Sequence, residues 1–262
     1  MVKLPVITAF GGYGPAGRSS SHHAFRRMII ESLSEKERQE TLLSLAILMG
    51  MLKYDEGGYC DVSGKIFTPA QAAARIKDEV LEGTLIRKIT RDYFDVDAIA
   101  SHAKLNMASG EEGFSFNISA RQLPQPLPAG WHVEELADRR VRITVQGEMD
   151  CKIEALLRTE VQAAGLLPQG FRPGDHYNSQ FHPRALQMAI VGASDAINAL
   201  GIPWREIQAK ITPDQLGVYS GNIMGQLDDY GFGGMLQSRL KGHRVSAKQC
   251  PLGLNSMCAD FR

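Results

Sequence analysis

The stretch from residue 216 to residue 262 constrains the fold more than any other part of the chain. An apolar run at 216–219 ends at Ser220-Gly221, which is the pattern of a buried strand that stops at a tight turn. Three glycines at 231–234 come before an apolar segment that predicts a helix over 235–241. A strand followed by a helix in this way is typical of an α/β fold.

The composition is that of an ordinary globular protein, with 44% apolar and 22% charged residues among 262. Lys plus Arg and Asp plus Glu each number 29, so the net charge is zero. This balance argues against nucleic acid or an anionic membrane as a partner. No segment approaches the roughly 20 apolar residues of a membrane span, and no signal peptide is visible. We therefore predict a cytoplasmic protein.

The cysteines give no sign of a metal or disulfide framework. They are widely spaced and form no C-x-x-C pair: Cys60, Cys151, Cys250 and Cys258. His22 and His23 are adjacent and would point to different faces of a helix, which makes a poor shared metal site. We expect no metal and no other cofactor.

The chain opens with a strand and a glycine-rich turn. Residues 4–10 are apolar and partly β-branched, which predicts a strand buried on both faces. Gly12, Gly14 and Gly17 follow in the spacing G-x-G-x-x-G, which is also the pattern of a dinucleotide-binding loop. The acidic residue that binds the ribose would be expected at the end of a second strand, but residues 35–40 read as a helix. A tight strand-to-helix turn is the alternative explanation of these glycines.

The pattern changes in the middle of the chain. Ser34 and Thr68 each begin a capping box before a helix, and residues 55–64 between these helices read as a loop. Apolar and polar residues then alternate at 114–118 and at 141–145, which predicts strands. Residues 31–174 are thus expected to form an α+β insertion with its own small core.

The last part of the chain returns to an α/β pattern. Pro183 begins an apolar helix that Gly201 should end as the C′ residue, and a strand is predicted at 216–220. We therefore group residues 1–30 with residues 175–262 and treat the insertion as separate.

These outer segments resemble the β-ketoacyl-acyl carrier protein synthases, condensing enzymes of the thiolase-like superfamily. Residues 6–17 (V-I-T-A-F-G-G-Y-G-P-A-G) are similar to the family's opening strand and turn, and the helix after Arg184 to the one before its Ser-Gly strand. Lys248, Pro251, Asn255 and Met257 then follow in the family's order. The stretches F-H-P-R, Q-L-D-D and S-A-K-Q are similar to the longer, divergent bacterial members. The chain resembles only their N-terminal half.

The resemblance implies a fold and an activity. The fold would be the N-terminal part of a thiolase-like, layered α/β structure. The activity would be decarboxylative condensation of acyl and malonyl thioesters of acyl carrier protein in fatty acid biosynthesis, by a homodimer. Such enzymes use a nucleophilic Cys a short distance after the Asn-x-Met element, and two later His. We expect this chain, which reads Arg262 after Asp-Phe where the family has Ile-Asn, to be a fragment that lacks those residues and is inactive alone.

The resemblance also implies candidate site residues. In the family, the residues after the Ser-Gly pair reach the dimer interface and help to line the partner's acyl pocket. The corresponding candidates here are Ser220, Gly221, Asn222, Ile223 and Met224.

Other chemistry-bearing residues have weaker patterns. Neither Cys250 nor Cys258 precedes a small-residue helix start, so we expect no catalytic thiol in this chain. Asp228 and Asp229 are adjacent and would not face each other for joint acid and base work. His182 has no acidic residue at ligand spacing, and a packing role is expected. The remaining alternatives are a nucleotide-binding protein that uses the loop at 12–17 and a non-catalytic dimerisation or interaction half.

Overall fold

The computed structural model describes residues 6–20, 23–55, 57–220 and 226–260. The chain divides into two compact units. The first contains residues 1–88 and 163–262, and the second contains residues 89–162. The bounds of the insertion predicted over 31–174 stay a prediction.

Helices occur mainly in the first unit. In chain order they are α1 His23–Met28, α2 Glu35–Leu48, α3 Pro69–Glu82, α4 Pro173–His176, α5 Arg184–Ala199, α6 Trp204–Gln208, α7 Phe232–Ser238, α8 Gln249–Leu252 and α9 Met257–Asp260. Short 3-10 turns lie at Ile30–Ser32, Ala120–Gln122 and Pro213–Gln215.

The strands form small antiparallel sheets. They are β1 Tyr13–Gly14, β2 Gly17–Arg18, β3 Leu52–Asp55, β4 Gly58–Asp61, β5 Ile66–Phe67, β6 Ile86–Lys88, β7 Ile99–Ala108, β8 Phe114–Ser119, β9 Trp131–Glu135, β10 Arg140–Val145, β11 Glu148–Leu157 and β12 Ala163–Gly165. Their orders are β1-β2, β3-β4-β5, β12-β6, β8-β10-β9 and β11-β7.

Helices α2 and α3 build the core of the first unit, and both begin with the predicted capping box. The Ser34 hydroxyl accepts the N–H of Glu37 at 3.4 Å, and the Glu37 carboxylate accepts the N–H of Ser34 at 3.2 Å. Thr68 and Gln71 make the same reciprocal pair before α3. The buried apolar side chains of this core are Ile30, Leu42, Leu43, Leu45, Ala46, Met49, Leu52, Ala72, Ala73, Ile76 and Val80.

The loop predicted at 55–64 is wrong in part, because Asp55 ends β3 and Gly58–Asp61 form β4, whereas 62–64 lie in the turn before β5. Gly58 takes φ +127°, a left-handed region conformation that glycine adopts without steric cost. Tyr54 and Tyr59 face each other across β3 and β4 with ring centroids 5.1 Å apart. Glycine and aspartate are typical of loops and also of hairpin turns, so the sequence pattern did not distinguish this hairpin from a loop.

The second unit contains the predicted alternating strands. The strands predicted at 114–118 and 141–145 are confirmed as β8 and β10, and β10 pairs with β8 on one side and with β9 on the other. Val141, Ile143 and Val145 are buried and pack against the aromatic side chains of the neighbouring strands. The two long strands β7 and β11 were missed, because alanine, serine and cysteine dilute their alternation.

Helix α5 has the predicted ends and carries a buried carboxylate, Asp195. Pro183 is its N-cap, Leu200 its C-cap, and Gly201 follows with φ +66°, so the predicted helix and its C′ glycine are confirmed. Its inner face buries Leu186 and Asp195. A buried carboxylate on an otherwise apolar helix face needs specific partners.

The two outer strands predicted from apolar runs are wrong within the described residues. Residues 6–10 and 216–220 have no strand partner there, and Val6, Ile7, Phe10, Val218 and Tyr219 are exposed. Residues 4–5 of the first predicted strand lie outside the described part of the chain. A backbone segment becomes a strand only when its N–H and C=O groups form hydrogen bonds with a neighbouring strand. Ile7 and Tyr219 remain 88% and 96% exposed, so these runs mark uncovered apolar surface.

Candidate functional site

Asp195 ties helix α5 to the glycine-rich turn. Its carboxylate accepts the N–H of Gly12 at 3.1 Å, Nε–H of Arg18 at 2.6 Å and the hydroxyl of Ser20 at 2.8 Å. The Asp195 side chain is completely buried, whereas that of Arg18 is 36% exposed. Because a buried carboxylate is stable only when its charge and lone pairs are matched, these contacts fix the turn against the helix.

The turn approaches α5 so closely that a side chain cannot fit between them. A Cβ on Gly11 would lie 2.3 Å from the backbone nitrogen of Ala196 and 2.6 Å from the carbonyl oxygen of Gly192. Backbone atoms cannot move aside as the end of a side chain can. Glycine is therefore required at position 11 for close packing.

Aromatic side chains line the same region. Tyr13 stacks on Phe171 with ring centroids 4.7 Å apart, and the Tyr177 hydroxyl hydrogen-bonds the Ser194 hydroxyl at 2.5 Å. Burial raises the pKa of Tyr13, and the neighbouring Asp195 carboxylate raises it further. The Tyr13 hydroxyl is thus held in its protonated form and acts as a neutral packing group.

This geometry argues against the nucleotide-binding alternative. In a dinucleotide site the loop amides point at a phosphate and the loop opens a helix. Here the Gly12 amide donates to the protein's own carboxylate, Asp195, and Tyr13–Gly14 pairs with Gly17–Arg18 as a small hairpin. The glycines serve the turn and its packing on α5.

The three short motifs F-H-P-R, Q-L-D-D and S-A-K-Q come together in space. The Asp228 carboxylate accepts the N–H of Arg184 at 2.5 Å at the first turn of α5. Phe181 and Tyr230 make an edge-to-face contact with centroids 6.1 Å apart. Asp228 thus joins the start of α5 to the turn that leads into α7, and supplies negative charge where the helix dipole is positive.

The third motif joins the same cluster through Gln249. Its side-chain amide donates to the carbonyl oxygen of Asp229 at 2.9 Å and accepts the N–H of Ser246 at 2.9 Å. Burial lowers the pKa of His182, and the Lys248 ammonium lowers it further. Residues from all three motifs therefore contact or electrostatically influence one another. We call this set, residues 181–184, 226–229 and 246–249, the motif cluster.

Gln226 connects the motif cluster to the last helix. Its side-chain nitrogen lies 3.1 Å from Sγ of Cys258 and 3.5 Å from the carbonyl oxygen of Leu254. Burial raises the pKa of the Cys258 thiol, whereas Cys250 is exposed. A buried, protonated thiol is a poor nucleophile.

Of the residues predicted to line the acyl pocket and the dimer interface, only Ser220 is among the described residues. Ser220 is exposed and lies on no strand. Gly221, Asn222, Ile223 and Met224 lie outside the described residues, so their roles stay predictions. Asp228 and Asp229, by contrast, have separate partners, as expected for adjacent positions: Asp229 lies 3.7 Å from the Lys241 ammonium.

Two expectations concern metals and membranes. Within residues 6–20, 23–55, 57–220 and 226–260, no group of three or more His, Cys, Asp or Glu side chains is arranged to hold a metal ion. In the same part of the chain, no helix is both long enough and apolar enough to cross a bilayer. His22 and the side chain of His23 lie outside the described residues.

Sequence reasoning missed Asp195 and its partner Arg18. The signal was present, because Asp195 interrupts the apolar face of an otherwise regular amphipathic helix. A charged residue at a core position predicts a buried partner, but the partner lies 177 positions earlier and carries no motif.

No family model matches the chain. A curated relative does match: over 262 residues the chain is 48% identical to the β-ketoacyl-[acyl-carrier-protein] synthase FabY of Pseudomonas aeruginosa. The crystal structure of the ketosynthase FabY from that organism matches all of this chain with a TM-score of 0.85. The chain spans 41% of the length of that protein.

These comparisons confirm the resemblance drawn from the sequence. The chain is similar over its whole length to the N-terminal part of a long β-ketoacyl synthase, and it has the mixed α/β fold of that part. The similarity includes the middle of the chain, where the sequence predicts an insertion.

Proposed function

We propose that this chain, similar in sequence and fold to the N-terminal part of a β-ketoacyl synthase, supplies that part of an enzyme that condenses acyl and malonyl thioesters of acyl carrier protein in fatty acid biosynthesis. The observation that carries the proposal is 48% identity over all 262 residues, together with the structural match at a TM-score of 0.85. Identity at this level over the whole of this chain supports shared function as well as shared fold.

The chemistry explains why the chain alone is expected to be inactive. An activated Cys thiolate takes the acyl group from its carrier and releases the carrier thiol. Malonyl-carrier loses CO2, its enolate carbon attacks the acyl-enzyme carbonyl, and the Cys thiolate leaves. Hydrogen-bond donors stabilise the oxyanions that form. None of the cysteines or histidines of this chain is assigned to these steps.

The described residues form a scaffold in this proposal. Asp195 fixes the glycine-rich turn on α5, and the motif cluster fixes the start of α5 to the segment that leads into α7. Reactive groups must be held within a fraction of an ångström of their working positions. We propose that these contacts contribute a rigid support for the reactive residues.

A basic surface at the end of α7 suits an acidic carrier protein. Arg239 and Arg244 lie on an exposed turn together with Lys241, which pairs with Asp229, and Leu236 and Leu240 beside them are 66% and 73% exposed. Opposite charges steer the encounter, and exposed leucines supply apolar contact once the partner is in place. We assign the carrier-protein contact to this turn.

Exposed apolar residues suit the part of the longer synthase that this chain does not span. Val6 and Ile7 are 78% and 88% exposed, and Tyr219 is 96% exposed. Such residues at two separate segments are typical of a surface that another polypeptide segment covers. We propose that the remainder of the synthase packs on residues 6–7 and 218–219.

We further propose that Ser220–Met224 reach the dimer interface and acyl pocket.

The proposal is tested by a chimera. The matching part of the Pseudomonas aeruginosa enzyme is replaced by this chain, and formation of the β-ketoacyl thioester is followed by mass spectrometry with acyl- and malonyl-carrier substrates. We expect the chimera to condense the substrates and the 262 residues alone not to do so. A well-folded chimera with no turnover would contradict the proposal.

Two variants of the chimera test the surfaces. Ile7→Asp should lower the yield of folded, active chimera, whereas Val62→Asp, at an equally exposed position of a hairpin, should not. Joint Arg239→Glu and Arg244→Glu changes should raise the KM for carrier substrates about tenfold and leave kcat unchanged, because they alter encounter rather than chemistry.

Several expectations stay predictions. The zero net charge supports a protein that binds neither nucleic acid nor anionic membranes. A place in the cytoplasm stays a prediction. The non-catalytic alternative, an interaction half, would be supported by a chimera that dimerises and binds carrier protein without turnover.

A further inference from the structure

Strands β7 and β11 form a long two-stranded ribbon. They pair antiparallel over their whole length, from Ile99 opposite Leu157 to Ala108 opposite Glu148. Within the described residues neither outer edge of this ribbon has a strand partner. A ribbon of only two strands is marginally stable in water, and unpaired edges of this length invite another strand.

The ribbon has one apolar and one polar face. Side chains of one face are the apolar set Ile99, Ala103, Leu105, Met107, Met149, Cys151, Ile153, Ala155 and Leu157, with Ser101. Leu105, Ile153 and Leu157 of this face are 42%, 45% and 56% exposed. The opposite face carries the ribbon's charged side chains, which include Lys104, Lys152 and Glu154. The ribbon therefore presents apolar surface that its own two strands do not cover.

We propose that the free edge of β11 pairs antiparallel with β11 of a second copy of this chain, with the two Ile153 residues opposite each other. In this register Lys152 lies opposite Glu154 of the second copy, and the symmetry gives the pair twice. Cys151 lies opposite Ala155, and Met149 lies opposite Leu157, on the apolar face. The result is a four-stranded sheet with one continuous apolar face.

The charges select this register. In an antiparallel pair, opposed residues share a face, so the register can shift only in steps that keep the apolar residues together. Centring on Lys152 would place Lys152 opposite itself and Asp150 opposite Glu154. Centring on Glu154 would oppose the two glutamates. Centring on Cys151 would pair Lys152 with Asp150 but oppose Glu148 to Glu154. Like charges directly opposite each other are unfavourable, so these three shifts are disfavoured.

The other edge of the ribbon is a poorer candidate. Self-pairing of β7 centred on Ala103 would place His102 opposite Lys104, which brings no acidic partner. Within the ribbon Lys152 already lies opposite a like charge, Lys104. Pairing at β11 adds a carboxylate, Glu154 of the second copy, beside that lysine pair. The charge pattern thus favours β11 as the joining edge.

Disulfide trapping tests the register. Ala155→Cys, in a Cys250→Ala background, should form a covalent dimer under mild oxidation. The introduced thiol would lie opposite the native Cys151 of the second copy, within the reach of about 4 Å between Cβ atoms that a disulfide allows. Ser101→Cys is the matched control, because it lies on the same face but one strand further away, about 10 Å from Cys151 of the second copy. Peptide mapping should find the link between positions 151 and 155.

A charge exchange provides a second readout. Lys152→Glu places a glutamate opposite Glu154 of the second copy, and the symmetry gives this repulsive pair twice. The dissociation constant of the β11 contact should therefore rise about tenfold. The same change removes the repulsion between Lys152 and Lys104 within one chain. The midpoint of thermal unfolding should therefore not fall. Adding Glu154→Lys should restore dimerisation.

Three outcomes would overturn the proposal. These are folded Ala155→Cys protein that forms no disulfide-linked dimer, equal cross-linking of Ala155→Cys and Ser101→Cys, and a Lys152→Glu change that leaves the Ala155→Cys cross-link as strong as before. The first outcome would be expected if another segment, or a different protein, covers the edge of β11.

Discussion

The backbone N–H of Gly12 donates to the carboxylate of Asp195, 183 positions later in the chain, at 3.1 Å. Ser20 and Arg18 donate to the same buried carboxylate. One side chain therefore closes a very long loop and satisfies an amide that would otherwise be orphaned in a turn. Its removal should be felt by the whole first unit.

We predict that Asp195→Ala lowers the free energy of unfolding by about 3 kcal/mol, because it removes a buried acceptor and leaves its three donors unpaired. Partial exposure of Arg18 lets water replace some of the loss. Asp195→Asn should cost less, since its amide oxygen can still accept. Urea denaturation followed by circular dichroism measures both.

The control for this prediction is Asp78→Ala. Asp78 is an exposed position of α3 in the same unit, so its removal should change stability by less than about 0.5 kcal/mol. If Asp195→Ala were as mild as Asp78→Ala, the Asp195 contacts would not support the fold.

A pair of glycine variants tests the close packing of the glycine-rich turn on α5. Gly11→Ala should destabilise the chain by about 3 kcal/mol, because its Cβ would overlap backbone atoms of α5. Gly14→Ala should be tolerated, since nothing lies within 4 Å of the Cβ it adds. Thermal melts of both variants test this. Loss of stability at Gly14 alone would contradict the packing account.

Local sequence signals predicted the elements that local chemistry determines. The capping boxes at Ser34 and Thr68, the C′ glycine Gly201 and the alternating strands of the second unit could be identified because the deciding residues lie within a few positions of each other. The resemblance that indicated the function likewise rested on short contiguous motifs. Contiguous patterns thus carried most of the correct interpretation.

Long-range contacts could not be predicted in the same way. The runs at 6–10 and 216–220 have the composition of buried strands, but no described segment pairs with them. Asp195 and Arg18 are too far apart for a spacing rule. The meeting of Asp228 with Arg184 depends on how two segments fold back, which no local pattern encodes.

The motif cluster predicts a pH dependence of stability. Burial lowers the pKa of His182, and Lys248 lowers it further. As the pH falls below about 6.5, the unfolded chain binds a proton at this histidine before the folded chain does. The free energy of unfolding should therefore decrease as the pH falls from about 6.5 through the lowered pKa of His182.

Urea titrations at about pH 7.5, 6.5 and 5.5, on both sides of the ordinary histidine pKa, measure this dependence. His182→Gln should flatten the slope below about pH 6.5, whereas His243→Gln, at an exposed turn, should leave it as in the parent. Equal slopes for the parent and His182→Gln would show that His182 does not couple folding to protons.

The last prediction concerns the two cysteines of the C-terminal segment. Cys258 is only 6% exposed, and burial raises the pKa of its thiol, whereas Cys250 is exposed. Because the thiolate is the reacting form, iodoacetamide at about pH 7.5 should alkylate Cys250 at least about tenfold faster than Cys258 in the folded chain. Mass spectrometry of the labelled peptides gives both rates, and in guanidinium chloride the two rates should become similar. A native Cys258 that reacts as fast as Cys250 would mean that α9 does not cover it and that Cys258 must be reconsidered as a reactive thiol.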